Sequence, residues 1–91
     1  MLDRELAKQL TVVVPAYNEE AGVAVVLEAL QRDCPGAEVI VVDDASTDGT
    51  SAQVARFAGV QLVRLRYNRG QGNALKVGMR QASRPYRAWL D

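Results

Sequence analysis

EVIVVDDASTDGT, residues 38–50, drives four β-branched apolar residues into two adjacent aspartates and then into a cluster of small, turn-forming residues. An apolar run that is continuous rather than alternating marks a strand covered on both faces, as in a parallel sheet flanked by helices. LTVVV, Leu10 to Val14, has the same character, so both runs are expected to be central strands. A carboxylate at the end of a buried strand is partly desolvated, which costs free energy unless it is paired or hydrogen-bonded. Asp43 and Asp44 therefore require partners.

Between the two runs, Val23, Val26, Leu27 and Leu30 recur at helical spacing, with Glu19 and Glu20 expected at the positive N-terminal end of that helix. Cys34-Pro35-Gly36 stops it. Beyond Asp44, either Asp48 or Thr50 is suited to cap a short helix that places Val54, Phe57 and Ala58 on one side, and Gly59 ends it. VQLVRLRY, residues 60–67, alternates Val63 and Leu65 with Arg64 and Arg66, the pattern of a strand near a sheet edge. A further helix is predicted from about Gly72 to Ser83, with Leu75, Gly78, Met79 and Ala82 on one stripe, and PYRAWLD, residues 85–91, begins another strand. The order βαβαβαβ with right-handed crossovers predicts an α/β fold: a Rossmann-like, doubly wound, mainly parallel sheet with helices on both faces, in one domain spanning residues 1–91.

Composition removes several classes of function. The 91 residues carry 11 basic and 11 acidic side chains, so nothing favours wrapping nucleic acid. With one cysteine, Cys34, and no histidine, an internal disulfide and the common Cys/His zinc sites are excluded. Any metal must be held by oxygen, which favours magnesium or manganese. No apolar run approaches the roughly 20 residues of a membrane span, and the charged start MLDRELAKQL lacks the apolar core of a signal peptide. The cysteine usage fits a cytoplasmic setting.

In open α/β sheets, ligands bind beyond the carboxyl ends of the strands. Three such ends carry polar residues here: PAYNEE after the first strand, DDASTDGT after the second and Asp91 after the last. Each residue has two readings. Asp43 and Asp44 serve either as acceptors for the turn that follows them or as acceptors for a ligand donor. Pro15 either ends a strand or walls a site, Tyr17 is either half-buried or stacked on a ligand, and Asn18 is suited to cap the next helix. In NRGQGNA, residues 68–74, Gly70 and Gly72 permit a tight turn, and Arg69 and Lys76 either meet phosphate charge or are solvated.

VVVPAYNEE (12–20), VIVVDDASTDGT (39–50), NRGQGNALKVG (68–78) and WLD (89–91), in this order and spacing, resemble the N-terminal half of family 2 glycosyltransferases, which have the GT-A nucleotide-sugar-binding fold. The resemblance implies that Pro15, Ala16, Tyr17 and Glu19 wrap the nucleoside, with Tyr17 near the base and Glu19 accepting from ribose hydroxyls. It implies that Asp44 reads the base edge, with Asp43 in support, and that Asn68, Gly70 and Lys76 lie close to the nucleotide and sugar. Asp91 matches the first aspartate of the family's metal motif, whose cation, Mg2+ or Mn2+, neutralises charge on the leaving diphosphate.

The second metal aspartate, the acceptor-binding part and a general base do not occur within these residues, so no catalytic residue is assigned. The chain is expected to be a catalytically incomplete N-terminal part of a longer enzyme and not to hold the metal alone. The motifs look most like those of enzymes that move a hexose from a UDP- or GDP-linked sugar to a polyprenyl or dolichyl phosphate, which would place the longer enzyme at the cytoplasmic face of a membrane. A second class stays open: a non-catalytic nucleotide-binding or regulatory α/β module. A phosphoacceptor receiver domain would carry its acid pair after the first strand, where PAYNEE stands instead. An unpaired edge beyond the fourth strand would also support a homodimer.

Overall fold

The computed structural model describes residues 2–90. Strands β1 (Leu10–Ala16) and β2 (Glu38–Asp43) occupy the centre of a four-stranded, wholly parallel sheet, with β3 (Val60–Arg64) and β4 (Tyr86–Trp89) at its edges in the order β3-β2-β1-β4. The continuous apolar runs are central because both of their faces are covered. Val12, Val14, Val39 and Val41 pack against Val23, Leu27 and Leu30 of α2 (Val23–Asp33) and Val54 of α3 (Thr50–Val54). Val13, Ile40 and Val42 face the other way, against Ala74 of α4 (Gln71–Gln81). A four-residue helix, α1 (Arg4–Ala7), precedes the sheet and is capped by Asp3, whose carboxylate accepts from the amides of Glu5 and Leu6. This is the expected doubly wound α/β arrangement, with β4 placed across β1 from the strands that precede it. Among the described residues no helix is long and apolar enough to cross a membrane.

The boundaries of three helices differ from expectation. α2 starts at Val23, so Glu19 and Glu20 lie upstream of its first turn, which holds no acidic residue. Their amides are bonded to the neighbouring loop instead, which draws them out of the helix. Gly49 occupies the cap position of α3 and Thr50 is its first residue, while Asp48 caps from one place further out by accepting from the Thr50 amide at 2.9 Å. α3 stops at Val54, so Phe57 packs on the core from the following turn, and Gly59, at φ +83°, ends that turn. α4 begins at Gln71, one residue early, because Gly70 adopts a φ of +93° that closes off the preceding loop.

Gly78 sets how closely α4 lies on the sheet. A Cβ added there would sit 2.3 Å from a Val13 methyl carbon and 3.2 Å from one of Val42, both fully buried and both stiff at χ1. Gly78→Ala gains about 1 kcal/mol of helix propensity. Overpacking a filled core costs about 1–3 kcal/mol. The substitution is therefore expected to lower the denaturant midpoint, and an equilibrium urea titration measures it.

At the opposite end of the strands, Glu38 ties three segments together. Its carboxylate accepts from the buried Thr11 hydroxyl of β1 at 2.6 Å and from the amide and hydroxyl of Ser83, before β4, at 2.9 and 2.8 Å. Arg84 braces the same corner through the carbonyls of Lys8 and Gly36. Burial pushes the Glu38 carboxyl up, but the bonds from Thr11 and Ser83 and the charge of Arg84 outweigh it and hold the group below its usual range. A carboxylate depressed in the folded state contributes stability that is present above its unfolded value of about 4.3 and lost as pH falls through the folded value. Glu38→Gln should thus flatten the fall of stability below about pH 4.3 while leaving its slope near neutrality unchanged. Thermal midpoints recorded from pH 3 to 7, with about 0.5 unit between points, test this.

Candidate nucleotide-binding site

Parallel pairing places the ends of β1 and β2 side by side, with Ala16 opposite Asp43 and the Asp44 amide donating to the Ala16 carbonyl at 2.8 Å. The two loops that leave these ends each contain a left-handed residue, Asn18 at φ 51° and Ala45 at φ 62°. Asparagine tolerates this region, but for alanine it costs roughly 1–2 kcal/mol, so the surroundings must fix it. They do so with bonds between the loops. The Asn18 amide donates to the Ser46 hydroxyl at 2.9 Å, and the Thr47 amide donates back to the Asn18 side-chain oxygen at 2.9 Å. The Glu19 amide reaches the Thr50 hydroxyl at 2.9 Å, the Glu20 amide reaches Asp48 at 3.3 Å, and the Gly49 amide returns to the Glu20 carboxylate at 3.0 Å.

The paired aspartates divide the work. Asp43, fully buried, accepts from the Ser46 amide at 2.9 Å and from the Ser51 hydroxyl, and Arg64 stands 3.9 Å away. It shapes the turn. Asp44, 3% exposed, accepts from the Arg69 and Gly70 amides at 2.9 and 2.8 Å. It joins the end of β2 to the loop that opens α4. Each carboxylate oxygen has two lone pairs, so Asp44 keeps acceptor capacity beyond these two bonds.

Asp44 also lines a cavity of about 180 Å³ together with Pro15, Ala16, Tyr17, Glu19, Gln71 and Ala74. Complete small-molecule sites enclose roughly 300–1,000 Å³, so this space seats only part of such a ligand. Its chemistry is specific nonetheless. Asp44 supplies a buried acceptor, Glu19 a carboxylate at the rim, Tyr17 an aromatic ring that is 46% exposed, and the start of α4 the positive end of an eleven-residue helix.

Five of the residues singled out in the sequence, Pro15, Ala16, Tyr17, Glu19 and Asp44, therefore meet at one cavity, and Gly70 adjoins it through its bond to Asp44. Asp43 lies beneath, turned to Ser46 and Ser51. Asn68 is exposed on the loop before Gly70 and is not part of the cavity wall. Lys76 lies further along α4, where with Leu75, Met79, Arg80 and Trp89 it lines a separate apolar hollow. Asp91 lies outside the described residues. Among those described, no three His, Cys, Asp or Glu side chains come together as metal ligands. Gln71 and Ala74 were not foreseen in the wall. Their signal was the helical stripe 71, 74, 78, one face of α4 that runs from the cavity onto the sheet.

An acceptor, a rim carboxylate and an aromatic gathered at the strand ends of a doubly wound sheet make a candidate ligand site where α/β proteins of this kind bind small molecules. Residues 11–91 match glycosyl transferase family 2, and the chain belongs to that family. It is 41% identical over 87 residues to the dolichyl-phosphate beta-glucosyltransferase of Mus musculus, an alignment covering 79% of this chain and 27% of that protein. Among solved structures, the mannosyltransferase PcManGT of Pyrobaculum calidifontis, in complex with GDP-Man and Mn2+, is 38% identical with a TM-score of 0.76, over 82% of this chain and 24% of that one. Glucosyl-3-phosphoglycerate synthase of Mycobacterium tuberculosis, with Mn2+, UDP and glucosyl-3-phosphoglycerate, is 29% identical with a TM-score of 0.77, over 96% and 35%. The chain thus spans about a quarter of the length of the dolichyl-phosphate beta-glucosyltransferases it matches.

Removing the Asp44 carboxylate takes away two bonds from backbone amides to a charged acceptor, and one bond of that kind contributes about 1.5–3 kcal/mol. Asp44→Ala should lower stability by at least that amount and accelerate hydrogen exchange at the Arg69 and Gly70 amides before those of β1. Amide exchange followed by NMR, alongside urea denaturation, checks both.

Proposed function

We propose that residues 1–91 form the donor-nucleotide-binding part of a longer glycosyltransferase that moves a hexose from a nucleoside-diphosphate sugar to an acceptor. One observation carries this: the buried Asp44 acceptor opens into a cavity walled by Tyr17 and Glu19 at the strand ends. In that role the Asp44 carboxylate takes an N–H of the base, the Tyr17 ring packs on the base, and Glu19 accepts from ribose hydroxyls. Asp43 holds the turn beneath. Gly70, with Asn68 on the same loop, lies toward the phosphates beside the positive end of α4. Lys76 is the weakest member of the set, because it lines a different hollow.

The donor is UDP- or GDP-linked, supported by the UDP and GDP-Man complexes of the similar structures. The similarity to dolichyl-phosphate beta-glucosyltransferases supports a polyprenyl phosphate as acceptor, which would place the full-length enzyme at the cytoplasmic face of a membrane. Mn2+ and Mg2+ complexes of the relatives support a divalent cation in the full-length enzyme. Asp91, which lies outside the described residues, would be the first carboxylate of its site and would help to neutralise the diphosphate charge through the cation. The β4 edge, with Tyr86 and Trp89 each 56% exposed, supports self-association of the isolated chain.

Calorimetric titration with UDP and with GDP, each with and without manganese, tests the nucleotide site. At least one nucleotide is expected to bind, and Asp44→Asn, which removes one acceptor oxygen and the charge, is expected to weaken it on the order of tenfold. A folded chain that binds neither nucleotide would remove the basis for the assignment.

A further inference from the structure

Glu19 stands at the cavity rim in a turn that belongs to neither β1 nor α2. Its carbonyl is held from the α2 side, accepting from the amides of Gly22 and Val23 at 3.0 and 2.8 Å. Its amide is held only from the other loop, by the Thr50 hydroxyl at 2.9 Å. Thr50 is fully buried and takes no part in the cavity wall, so it cannot meet a ligand itself. Its hydroxyl proton goes to Asp48, which also accepts from the Thr50 amide and, through its other oxygen, from the Glu20 amide. The Thr50 hydroxyl and the amides of Thr50 and Glu20, against the opposing effect of desolvation, hold the Asp48 carboxyl below its usual range. It is therefore an ionised acceptor at neutral pH, and charge-assisted bonds of this kind are the stronger ones.

We infer that Thr50, with Asp48 behind it, is a positioning residue for the nucleotide: the pair fixes the main chain of Glu19 and Glu20, and thereby the reach of Glu19 over the cavity, without touching ligand. This rests on the nucleotide site proposed above and adds a second layer to it. A hydroxyl that accepts from one loop while donating within the other aligns the two in a way that apolar packing would not. Direction matters here, because a hydrogen bond weakens steeply when its angle departs from linearity.

The test uses Thr50→Val, which keeps shape and loses the hydroxyl, Thr50→Ser, which keeps the hydroxyl, and Asp48→Asn, at an exposed position. Affinity for UDP and GDP is measured by calorimetry at a temperature where each variant is folded, and amide exchange is followed without ligand. Thr50→Val is expected to weaken nucleotide binding on the order of tenfold, with Thr50→Ser near the parent and Asp48→Asn in between. Exchange at Glu19 should rise in Thr50→Val and at Glu20 in Asp48→Asn, with the β1 and β2 amides unchanged. If Thr50→Val does not fold, Asp48→Asn carries the comparison alone. A parent that binds, with folded variants that bind equally well, overturns the positioning role and spares the nucleotide site. A folded parent that binds neither nucleotide overturns both.

Discussion

The parallel pairing of β1 with β2 is the constraint from which the rest follows. Their register sets Ala16 beside Asp43, so the chains leave the sheet at the same height and their loops run side by side. Apolar burial on both faces makes this pairing, because neither strand has a face that tolerates water. A slip of one residue would turn every valine of a strand to the opposite face. The core thus determines where the two loops start. The bonds between the loops, and the grip of Asp44 on the Arg69 and Gly70 amides, then determine where they go.

The parts legible in the sequence were those specified by local pattern. β1 and β2 announced themselves as unbroken β-branched runs, β3 as an alternating edge, and Asp43 and Asp44 as charges with no local reason to be where they are. Less legible was every feature whose partner lies far along the chain. Asn18, Glu19 and Glu20 look like the opening of a helix when only their neighbours are considered. Their partners are Ser46, Thr50 and Asp48, 28 to 31 residues away, and no periodicity encodes that distance. Lys76 shows the same limit at the scale of one helix. Five residues beyond Gln71, it is turned by about 140° from the stripe that meets the cavity, a phase that depends on where the helix begins.

The two ends of the sheet are secured by different means. At the amino ends of the strands, Glu38 collects hydroxyl and amide donors from β1 and from the segment before β4, closing the turn after α4 onto the central strands. At the carboxyl ends, most of the bonds run from a main-chain amide to a side-chain acceptor across two loops. The first arrangement fastens regular structure to itself. The second gives irregular backbone a single shape, which a binding surface needs if ordering it is not to be charged against the ligand.

That division has a consequence for how the surface is able to change. Glu19 and Arg69 enter the inter-loop bonds as donors through their amides alone. Any residue other than proline supplies the same amide. The side chains at these two places are thus relieved of structural duty, whereas Asn18, Ser46, Asp48 and Thr50 are tied to their chemistry by the bonds they accept. Apart from Asp44, which both lines the cavity and holds the Arg69 and Gly70 amides, framework and lining are written at different positions of the same loops, so a lining residue such as Glu19 is open to replacement while the framework stays standing.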